Sequence, residues 1–155
     1  MAVPLFDKRA LSEAGEPLFS LPLEVRFQDV DAAGIVFFAR IGAYFHDAHI
    51  AYLNALGLDM PRALSEGPWI APLKHAEADF FEPMRFGDRL ESQVVAGRAE
   101  GSELVFGFRL VGADDRRVRA VGQQVHVWVG RDDFKRCPLP EAVRAALREP
   151  APREA

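Results

Sequence analysis

The sequence is poor in cysteine and contains no long apolar run. Its one cysteine, Cys137, excludes an internal disulfide and any zinc site made of several cysteines. So little cysteine is typical of a reducing compartment, and we expect a cytoplasmic protein. No run approaches the ~18 apolar residues that a membrane helix needs. The charged residues at 7–9 interrupt the stretch in which a signal peptide would carry its apolar core.

Clustered positive charge is lacking as well. The chain has 19 Lys and Arg against 23 Asp and Glu, a formal net charge of −4, and no basic block. Because proteins bind nucleic-acid backbones through clustered cations, we expect no nucleic-acid partner. By contrast, the 12 phenylalanines are many for 155 residues and indicate an apolar groove or buried interface beyond the core.

In the first third of the chain, apolar residues recur first with the period of a strand and then with the period of a helix. Apolar and polar residues alternate from Phe19 to Phe27, which predicts a strand with one buried face, and Pro22 favours an edge position for it. A helix is predicted from Ala39 to Leu56, with Gly57 as its terminator. Its apolar stripe recurs at spacings of three and four: Phe38, Ile41, Phe45, Ala48, Tyr52 and Ala55.

The rest of the chain is dominated by strand patterns. Four apolar runs with short connections predict further antiparallel strands, at 70–81, 89–98, 104–111 and 118–129. Residues 58–69 are predicted as a loop with room for one helical turn, and 140–148 as a short closing helix. We therefore expect one α+β domain over 1–155, with about five antiparallel strands around one long helix, a loosely held arm at 1–18 and a tail at 149–155.

Two carboxylates lie between the first strand and the long helix. Asp31 can serve as a nucleophile or general base, and the unpaired N–H groups of the first helical turn, at Phe38 and Ala39, suit an oxyanion. Gly34 allows the bend that brings Asp31 near the helix start. From the residues alone, Asp29 and Asp31 can equally be turn carboxylates that cap loop amides, which is the commoner use of Asp before a helix.

The stretch Asp29–Phe38, followed by an aromatic-rich helix, resembles the 4-hydroxybenzoyl-CoA thioesterase family of hotdog-fold proteins. The resemblance extends over about residues 20–140 and includes the turn Phe81–Asp88 and the hairpin Ser102–Phe106. It implies a sheet wrapped around one helix, assembly into homodimers or homotetramers with active sites at the dimer interface, and hydrolysis of an acyl-CoA thioester.

The same resemblance assigns roles to two residues. Asp31 corresponds to the catalytic carboxylate, and the backbone N–H of Phe38 to the donor that polarises the thioester carbonyl. Many relatives carry His or Tyr where this chain has Phe38. The phenylalanine implies similarity to the branch that acts on aromatic acyl groups, with short or medium chains as the alternative. Asp29 is expected to be structural or to support the site.

Acyl-CoA binding requires apolar walls and cations for the phosphates of coenzyme A. We expect substrate contacts from two aromatic and three basic residues: Phe37, Trp69, Arg98, Lys135 and Arg136. No cofactor is expected besides the thioester substrate, although an acyl carrier protein could replace coenzyme A. The alternative functions are a noncatalytic acyl-binding module and, less in keeping with the motifs, a hydratase.

Other polar clusters have simpler interpretations. His46, Asp47 and His49 do not have the spacing of a zinc-binding helix, so we expect a solvated or interface face and no metal. Alternation of His75, Glu77 and Asp79 along a strand predicts an exposed polar face. Cys137 has no activating neighbour in the sequence and is expected to be inert.

Overall fold

The computed structural model describes residues 2–152 of the chain. Its principal elements are a central helix and a five-stranded antiparallel sheet. In chain order the elements are α1 (Lys8–Ser12), β1 (Phe19–Glu24), α2 (Arg40–Ala55), α3 (Met60–Glu66), β2 (Trp69–Ile70), β3 (Leu73–Phe80), β4 (Arg89–Glu100), β5 (Glu103–Gly112), β6 (Val118–Val127), β7 (Val129–Gly130) and α4 (Glu141–Ala145). None of the helices described over 2–152 is long and apolar enough to cross a membrane.

The sheet has the strand order β1-β4-β5-β6-β3, and β2 pairs separately with β7. Strands β4, β5 and β6 form the expected meander, but β3 pairs with β6 and not with β4, which follows it in the chain. β1 therefore occupies one edge, as Pro22 predicted, and β3 the other. The predicted fold class, an antiparallel sheet of about five strands with one long helix, is confirmed.

Helix α2 lies against the inner face of the sheet and ends as the sequence predicted. Gly57 adopts φ +90°, and two hydrogen bonds close the last turn, from Leu58 N to Leu53 O (3.3 Å) and from Gly57 N to Asn54 O (2.9 Å). This is the Schellman motif, in which glycine avoids the strain of a left-handed residue. Of the predicted stripe, four residues are buried in the core: Ile41, Phe45, Ala48 and Tyr52.

The structure corrects three details of the predicted elements: the extent of the helix stripe, the end of the first strand and the conformation of residues 60–66. The stripe does not include Phe38, which precedes the helix and is 68% exposed, or Ala55, which faces solvent in the last turn. The first strand stops at Glu24, and Phe27–Asp29 form a 3₁₀ turn instead of continuing the alternation. Within the predicted loop, for which one helical turn was expected, residues 60–66 form the seven-residue helix α3, with a proline near its N-terminus where the missing N–H is tolerated.

The prediction of a loosely held N-terminal arm was also wrong. Its apolar residues form a second core on the outer face of the sheet, with Phe6 5% and Leu11 1% exposed. Buried Arg109 donates to the backbone carbonyls of Ser12 and Ala14. These contacts join residues about 95 positions apart, so no local period could reveal them. At the other end, Gly15 N donates to the carbonyl of residue 151, and 153–155 lie outside the described residues.

Candidate active site

The loop between β1 and α2 is a compact turn built around Gly34. Asp31 N donates to Ile35 O (2.9 Å), and Gly34 N donates to Asp31 O (3.0 Å). Gly34 has φ +78°, a conformation that costs other residues about 1 kcal/mol or more. The loop is fixed to the segment before β4, since Val36 N donates to Met84 O (2.8 Å). The bend expected at Gly34 is therefore present.

Asp29 fastens this loop to the start of α2. Its side chain is fully buried and its two oxygens accept six hydrogen bonds, from the backbone and guanidinium of Arg26, the guanidinium of Arg40 and the hydroxyl of Tyr44. The shortest is 2.7 Å, from an Arg40 Nη atom. Arg40 and Tyr44 stand one turn apart on the helix, so the carboxylate fixes both the position and the rotation of the helix start.

These contacts change the proton affinity of both buried partners. Burial alone would raise the pKa of Asp29, but hydrogen bonds from Arg26, Arg40 and Tyr44 outweigh it and hold that pKa well below its usual range. Burial raises the pKa of Tyr44, and its hydrogen bond to the Asp29 carboxylate raises it further. Asp29 is thus a permanently charged structural group at neutral pH, consistent with the supporting role expected for it.

Asp31 lies in a different environment, on the wall of an open apolar cleft of about 380 Å³. One oxygen, Oδ1, accepts a hydrogen bond from Ala33 N (2.8 Å). Among residues 2–152 no hydrogen bond or ion pair reaches Oδ2. The cleft is formed by the loop on one side and by the end of β3 with the following turn on the other: Asp31, Ile35, Val36, Phe38, Phe80, Phe81, Glu82, Pro83 and Met84.

The N-terminus of α2 opens near the same cleft. No side chain caps the helix, and its first turn contains no acidic residue. Within the described part of the chain the backbone N–H groups of Phe38 and Ala39 donate to no other group, whereas those of Arg40 and Ile41 bond back to Phe37 O and Phe38 O. An uncapped helix start with a free N–H carries positive partial charge and can stabilise an oxyanion.

Glu82 is the other acid in the cleft, but its carboxylate is already paired. One oxygen accepts from Arg117, and the other lies 3.1 Å from an Arg119 Nη atom. Of the two acids on the cleft, Asp31 therefore keeps an unengaged carboxylate oxygen and Glu82 does not.

A second apolar cleft of about 300 Å³ adjoins the first. Phe38 and Phe80 line both spaces, so the two meet at these rings. The second cleft runs along the start of α2 and across the inner face of β3, lined by Ala39, Ile41, Gly42, Phe45, Ala76, Glu77, Ala78 and Gln124. Together the clefts make a surface on which an apolar group next to Asp31 can lie.

Of the predicted substrate-binding residues, only Phe37 lies near the cleft, with its ring 4.7 Å from that of Phe38. Strand register places the other four at the opposite end of the sheet. Trp69 pairs with Gly130, and Arg136 bridges to Val129, just beyond β6. Arg98 lies nine residues along β4 from Arg89, which is about 30 Å at the rise of a strand. Lys135 is the exposed neighbour of Arg136.

Two of these cations already have structural partners. Arg98 forms an ion pair with Glu149 (2.6 Å) and stacks over the Phe6 ring, with 4.4 Å between guanidinium and ring centroid. Arg136 lies 3.2 Å from the buried carboxylate of Glu103. Burial would raise the pKa of Glu103, but Lys74, the Val3 amide and Arg136 together lower it to about 2. Within one chain, these side chains hold the arm and the sheet end together.

The sequence analysis missed the second wall of the cleft, formed by residues 80–84. Phe80 and Phe81 are 49% and 46% exposed, which is unusual for large apolar side chains. Arg85 follows this wall and bridges to Ile35, and its guanidinium forms no ion pair with the residues that the structure describes. The resemblance included the turn Phe81–Asp88, but no local pattern indicated that it faces Asp31.

The other polar residues are placed as follows. His75 and Glu77 form an exposed pair (3.0 Å) on β3, and Asp79 contacts Lys8 (3.4 Å), as expected of a polar strand face. Burial, followed by the charge of Asp133, raises the pKa of the Cys137 thiol, which agrees with an inert cysteine. The expected solvated helix face was wrong for His49, which is buried against β5 and β6.

Comparison with known proteins agrees with this architecture. The profile of the Thioesterase-like superfamily matches residues 25–147, which include the Asp31 loop, α2 and four of the five strands of the main sheet, all but β1. The chain belongs to this superfamily. The resemblance to hotdog acyl-CoA thioesterases and the prediction of a thioester hydrolase are thereby confirmed, while the roles of individual residues stay predictions.

The relatives in this thioesterase superfamily are similar over most of their length. A 1,4-dihydroxy-2-naphthoyl-CoA hydrolase of Synechococcus elongatus is 34% identical over 125 residues, 80% of this chain and 90% of that protein. Its counterpart from Thermosynechococcus vestitus is 32% identical over 139 residues, 90% and 94% of the two chains. A solved Synechocystis 1,4-dihydroxy-2-naphthoyl-CoA thioesterase superposes with a TM-score of 0.77 at 29% identity, covering 83% of this chain and 93% of that one.

Proposed function

We propose that this thioesterase hydrolyses an aromatic acyl-CoA, with Asp31 as nucleophile or general base and the backbone N–H of Phe38 as oxyanion donor. The observation that carries the proposal is their common position on one cleft. There Asp31 keeps an unengaged oxygen while Glu82 is held by two arginines. The reaction then needs only the thioester, water and the groups of this cleft, without a further cofactor.

The chemistry follows from the properties of these groups. In one route the Asp31 carboxylate attacks the thioester carbonyl, the thiolate of coenzyme A leaves, and water hydrolyses the resulting anhydride. In the other, Asp31 takes a proton from the water that attacks. Both routes place negative charge on the carbonyl oxygen, which the Phe38 N–H and the start of α2 stabilise. A single such donor contributes about 3 kcal/mol.

The aromatic character of the substrate is inferred from the walls of the cleft and from the relatives. Phe38, Phe80 and Phe81 present exposed rings on which a flat acyl group can stack. The relatives described above are named for a dihydroxynaphthoyl group, and a gentisyl-coenzyme A thioesterase superposes with a TM-score of 0.74 at 26% identity. A short or medium aliphatic chain is the alternative occupant.

The phosphates of coenzyme A need cations near the cleft. We propose Arg85 for this role, because it neighbours the cleft wall and forms no ion pair with a described residue. The earlier candidates Arg98, Lys135 and Arg136 lie at the other end of the sheet, so they can contribute only if a second subunit brings them to this cleft. Such a contribution would fit the expected site at a dimer interface.

Assembly into a homodimer is proposed through the free edge of β3. Among the strands of residues 2–152, this eight-residue strand pairs only with β6, and Leu73 at its start is 53% exposed. The opposite edge, β1, contains Pro22, which lacks the N–H needed for pairing. Pairing of β3 with β3 of a second copy would satisfy the open edge. Sedimentation should detect a dimer or tetramer that Leu73→Lys weakens.

We also propose a cytoplasmic location, since the single free cysteine suits a reducing compartment.

The decisive experiment measures thiol release from a panel of coenzyme A esters. The panel comprises 1,4-dihydroxy-2-naphthoyl, gentisyl, benzoyl, phenylacetyl and straight-chain esters, with a blank that corrects for Cys137. Aromatic esters should react with a kcat/KM at least about tenfold above that of straight chains, which corresponds to about 1.4 kcal/mol. Asp31→Asn should lower kcat/KM by about 10³-fold, while Glu82→Gln, the matched acid in the same cleft, should retain most of the activity.

Other results of the thiol-release experiment would contradict parts of the proposal. Full activity in Asp31→Asn would remove Asp31 from the mechanism. Preference for straight chains would leave the reaction class intact and overturn the aromatic assignment. Saturable binding of an ester without thiol release from any member of the panel would favour the noncatalytic acyl-binding module.

A further inference from the structure

Three of the four histidines of the chain converge at a place that the proposed reaction does not use. His46 and His49 lie on α2 and His126 on β6, and one nitrogen from each ring lies within 4.8 Å of the others. The ring centroids are 4.6 Å apart for His49 and His126, and 5.4 Å apart for His46 and His49. The tertiary structure alone brings β6 to the helix, so the sequence spacing of His46 and His49 could not indicate the third member.

Two of the histidines are buried with nitrogen atoms that lack partners. His49 is 2% and His126 4% exposed, and neither Nδ1 of His49 nor Nε2 of His126 has a hydrogen-bond partner among the described residues. Buried polar atoms in native proteins are almost always paired, so two in one cluster need an explanation. A bound ion would supply it.

The hydrogen bonding of His126 selects the tautomer that a metal requires. Its Nδ1 lies 2.9 Å from the backbone carbonyl of Ala71. A carbonyl only accepts, so Nδ1 carries the proton and Nε2 keeps its lone pair. Donation from the remote ring nitrogen to a carbonyl is the usual support of a metal-bound histidine.

We propose that His46, His49 and His126 form a binding site for a divalent transition-metal cation of the Zn²⁺ type. Zinc binds imidazole nitrogen at about 2.0–2.1 Å, which sets nitrogen atoms about 3.4 Å apart in a tetrahedral site. The present separations of up to 4.8 Å must therefore shorten. His46 can make that adjustment, since its side chain is exposed on the helix surface.

Three histidines leave a fourth position for water. The described residues bring no fourth histidine, cysteine or acid into the cluster. Gln124 precedes His126 by two residues on the same face of β6, and its Oε1 also lacks a partner. It can accept a hydrogen bond from a metal-bound water. Gln124 also lines the second apolar cleft, so the proposed cation would lie beside the acyl-binding surface and not at Asp31.

The test is metal binding by the tag-free protein after treatment with a chelator and its removal. Co²⁺ should bind at one site per chain and give the visible absorption of a low-symmetry, four-coordinate ion, and Zn²⁺ should displace it. His46→Ala should weaken binding by at least about 100-fold, because loss of a ligand exceeds the 10–100-fold effect of losing a supporting partner. His75→Ala is the matched control, since His75 is the remaining histidine and pairs on the surface with Glu77.

Stability provides a second readout that is independent of thioester hydrolysis. Zn²⁺ should raise the unfolding temperature of the wild type, His75→Ala and the inactive Asp31→Asn, and leave that of His46→Ala unchanged. His46 is exposed, so its replacement should not prevent folding. The proposal is overturned if Co²⁺ and Zn²⁺ fail to bind at micromolar free concentration. Equal affinities of His46→Ala and wild type would overturn it as well, and the cluster would then be a set of packed core histidines.

Discussion

Asp29 and Asp31 lie two residues apart on the same loop, yet their surroundings differ in almost every respect. Asp29 is fully buried and accepts six hydrogen bonds from three side chains and one backbone amide. Asp31 lies on an open cleft and accepts one, from Ala33 N. Asp29 ends the 3₁₀ turn Phe27–Asp29, whereas Asp31 begins the turn around Gly34, and this change of backbone conformation directs one carboxylate into the protein and the other into the cleft.

The comparison shows that one loop can carry one carboxylate that stabilises the fold and another that is available for chemistry. A saturated carboxylate is a poor base because every lone pair that could attack or take a proton is engaged. An unsaturated one contributes little to folding but stays reactive. Asp29 holds the loop against Arg40 and Tyr44 at the start of α2, and this fixes the Phe38 amide relative to Asp31. The buried carboxylate of Asp29 therefore positions the loop that carries Asp31, the proposed reactive carboxylate.

The largest expected effect is on catalysis by Asp31. Asp31→Asn should lower kcat/KM by about 10³-fold, or about 4 kcal/mol, because an amide can neither attack nor accept the proton of water. Its unfolding temperature should stay within about 2 °C of wild type, because the asparagine side chain is exposed and keeps an Oδ1 that can accept the hydrogen bond from Ala33 N. Parallel thiol-release and thermal-unfolding measurements test this, and a large loss of stability would break the contrast with Asp29.

The second effect is on folding through Asp29. Asp29→Asn should lower the free energy of unfolding by about 3 kcal/mol, because Arg26 and Arg40 lose the charge that they surround. Urea unfolding followed by circular dichroism measures it. Tyr44→Phe, which removes one of the six hydrogen bonds, should lose only about 1–2 kcal/mol. Equal losses in the two variants would indicate that the charge of Asp29 is unimportant.

The depressed pKa of Asp29 predicts a pH dependence of stability. In the unfolded chain an Asp titrates near pH 4, so the unfolded state takes up a proton first as pH falls. The contribution of Asp29 is therefore fully present above about pH 4 and is lost as pH falls toward its folded pKa. Wild type should lose stability more steeply than Asp29→Asn between about pH 4 and pH 2. Parallel slopes in that range would contradict the prediction.

The smallest effect is expected at Gly34. A Cβ at this position meets no atom within 4 Å, so Gly34→Ala is opposed only by its φ of +78°. The expected loss of stability is about 1–2 kcal/mol. If the turn aims Asp31, kcat should fall while KM changes little. Gly57→Ala at φ +90° has the same freedom from clashes and serves as the matched control, since it should lose similar stability and keep full activity.

Much of this molecule could be predicted from local sequence. The alternation of apolar and polar residues in 104–111 and the spacing of apolar residues by three and four in α2 both follow from side-chain direction along each element. These patterns therefore predicted the main strands, the long helix and its buried face. Pro22 indicated an edge strand because it lacks a backbone N–H, and Gly57 indicated the end of the helix because glycine tolerates a positive φ. The residues from Asp29 to Phe38 could be assigned to a thioesterase loop because the reacting groups there are close in sequence.

Other features depended on contacts between distant segments. The N-terminal arm lacks a period because its order comes from Arg109 and Gln123 on the sheet, about 95 or more positions away. The second cleft wall, Phe80 to Met84, faces Asp31 only because β3 crosses to the far edge of the sheet. Trp69, Arg98 and Arg136 looked suitable by residue type, but strand register placed them at the opposite end.

The sequence by itself determined the elements, the fold class and the loop that presents Asp31, because each depends on the conformational preferences of neighbouring residues. Only the tertiary structure decided which aspartate is saturated and which is free, which rings form the cleft, and that His126 joins His46 and His49. Those outcomes depend on strand order and register, which place side chains far apart in the chain within hydrogen-bond distance.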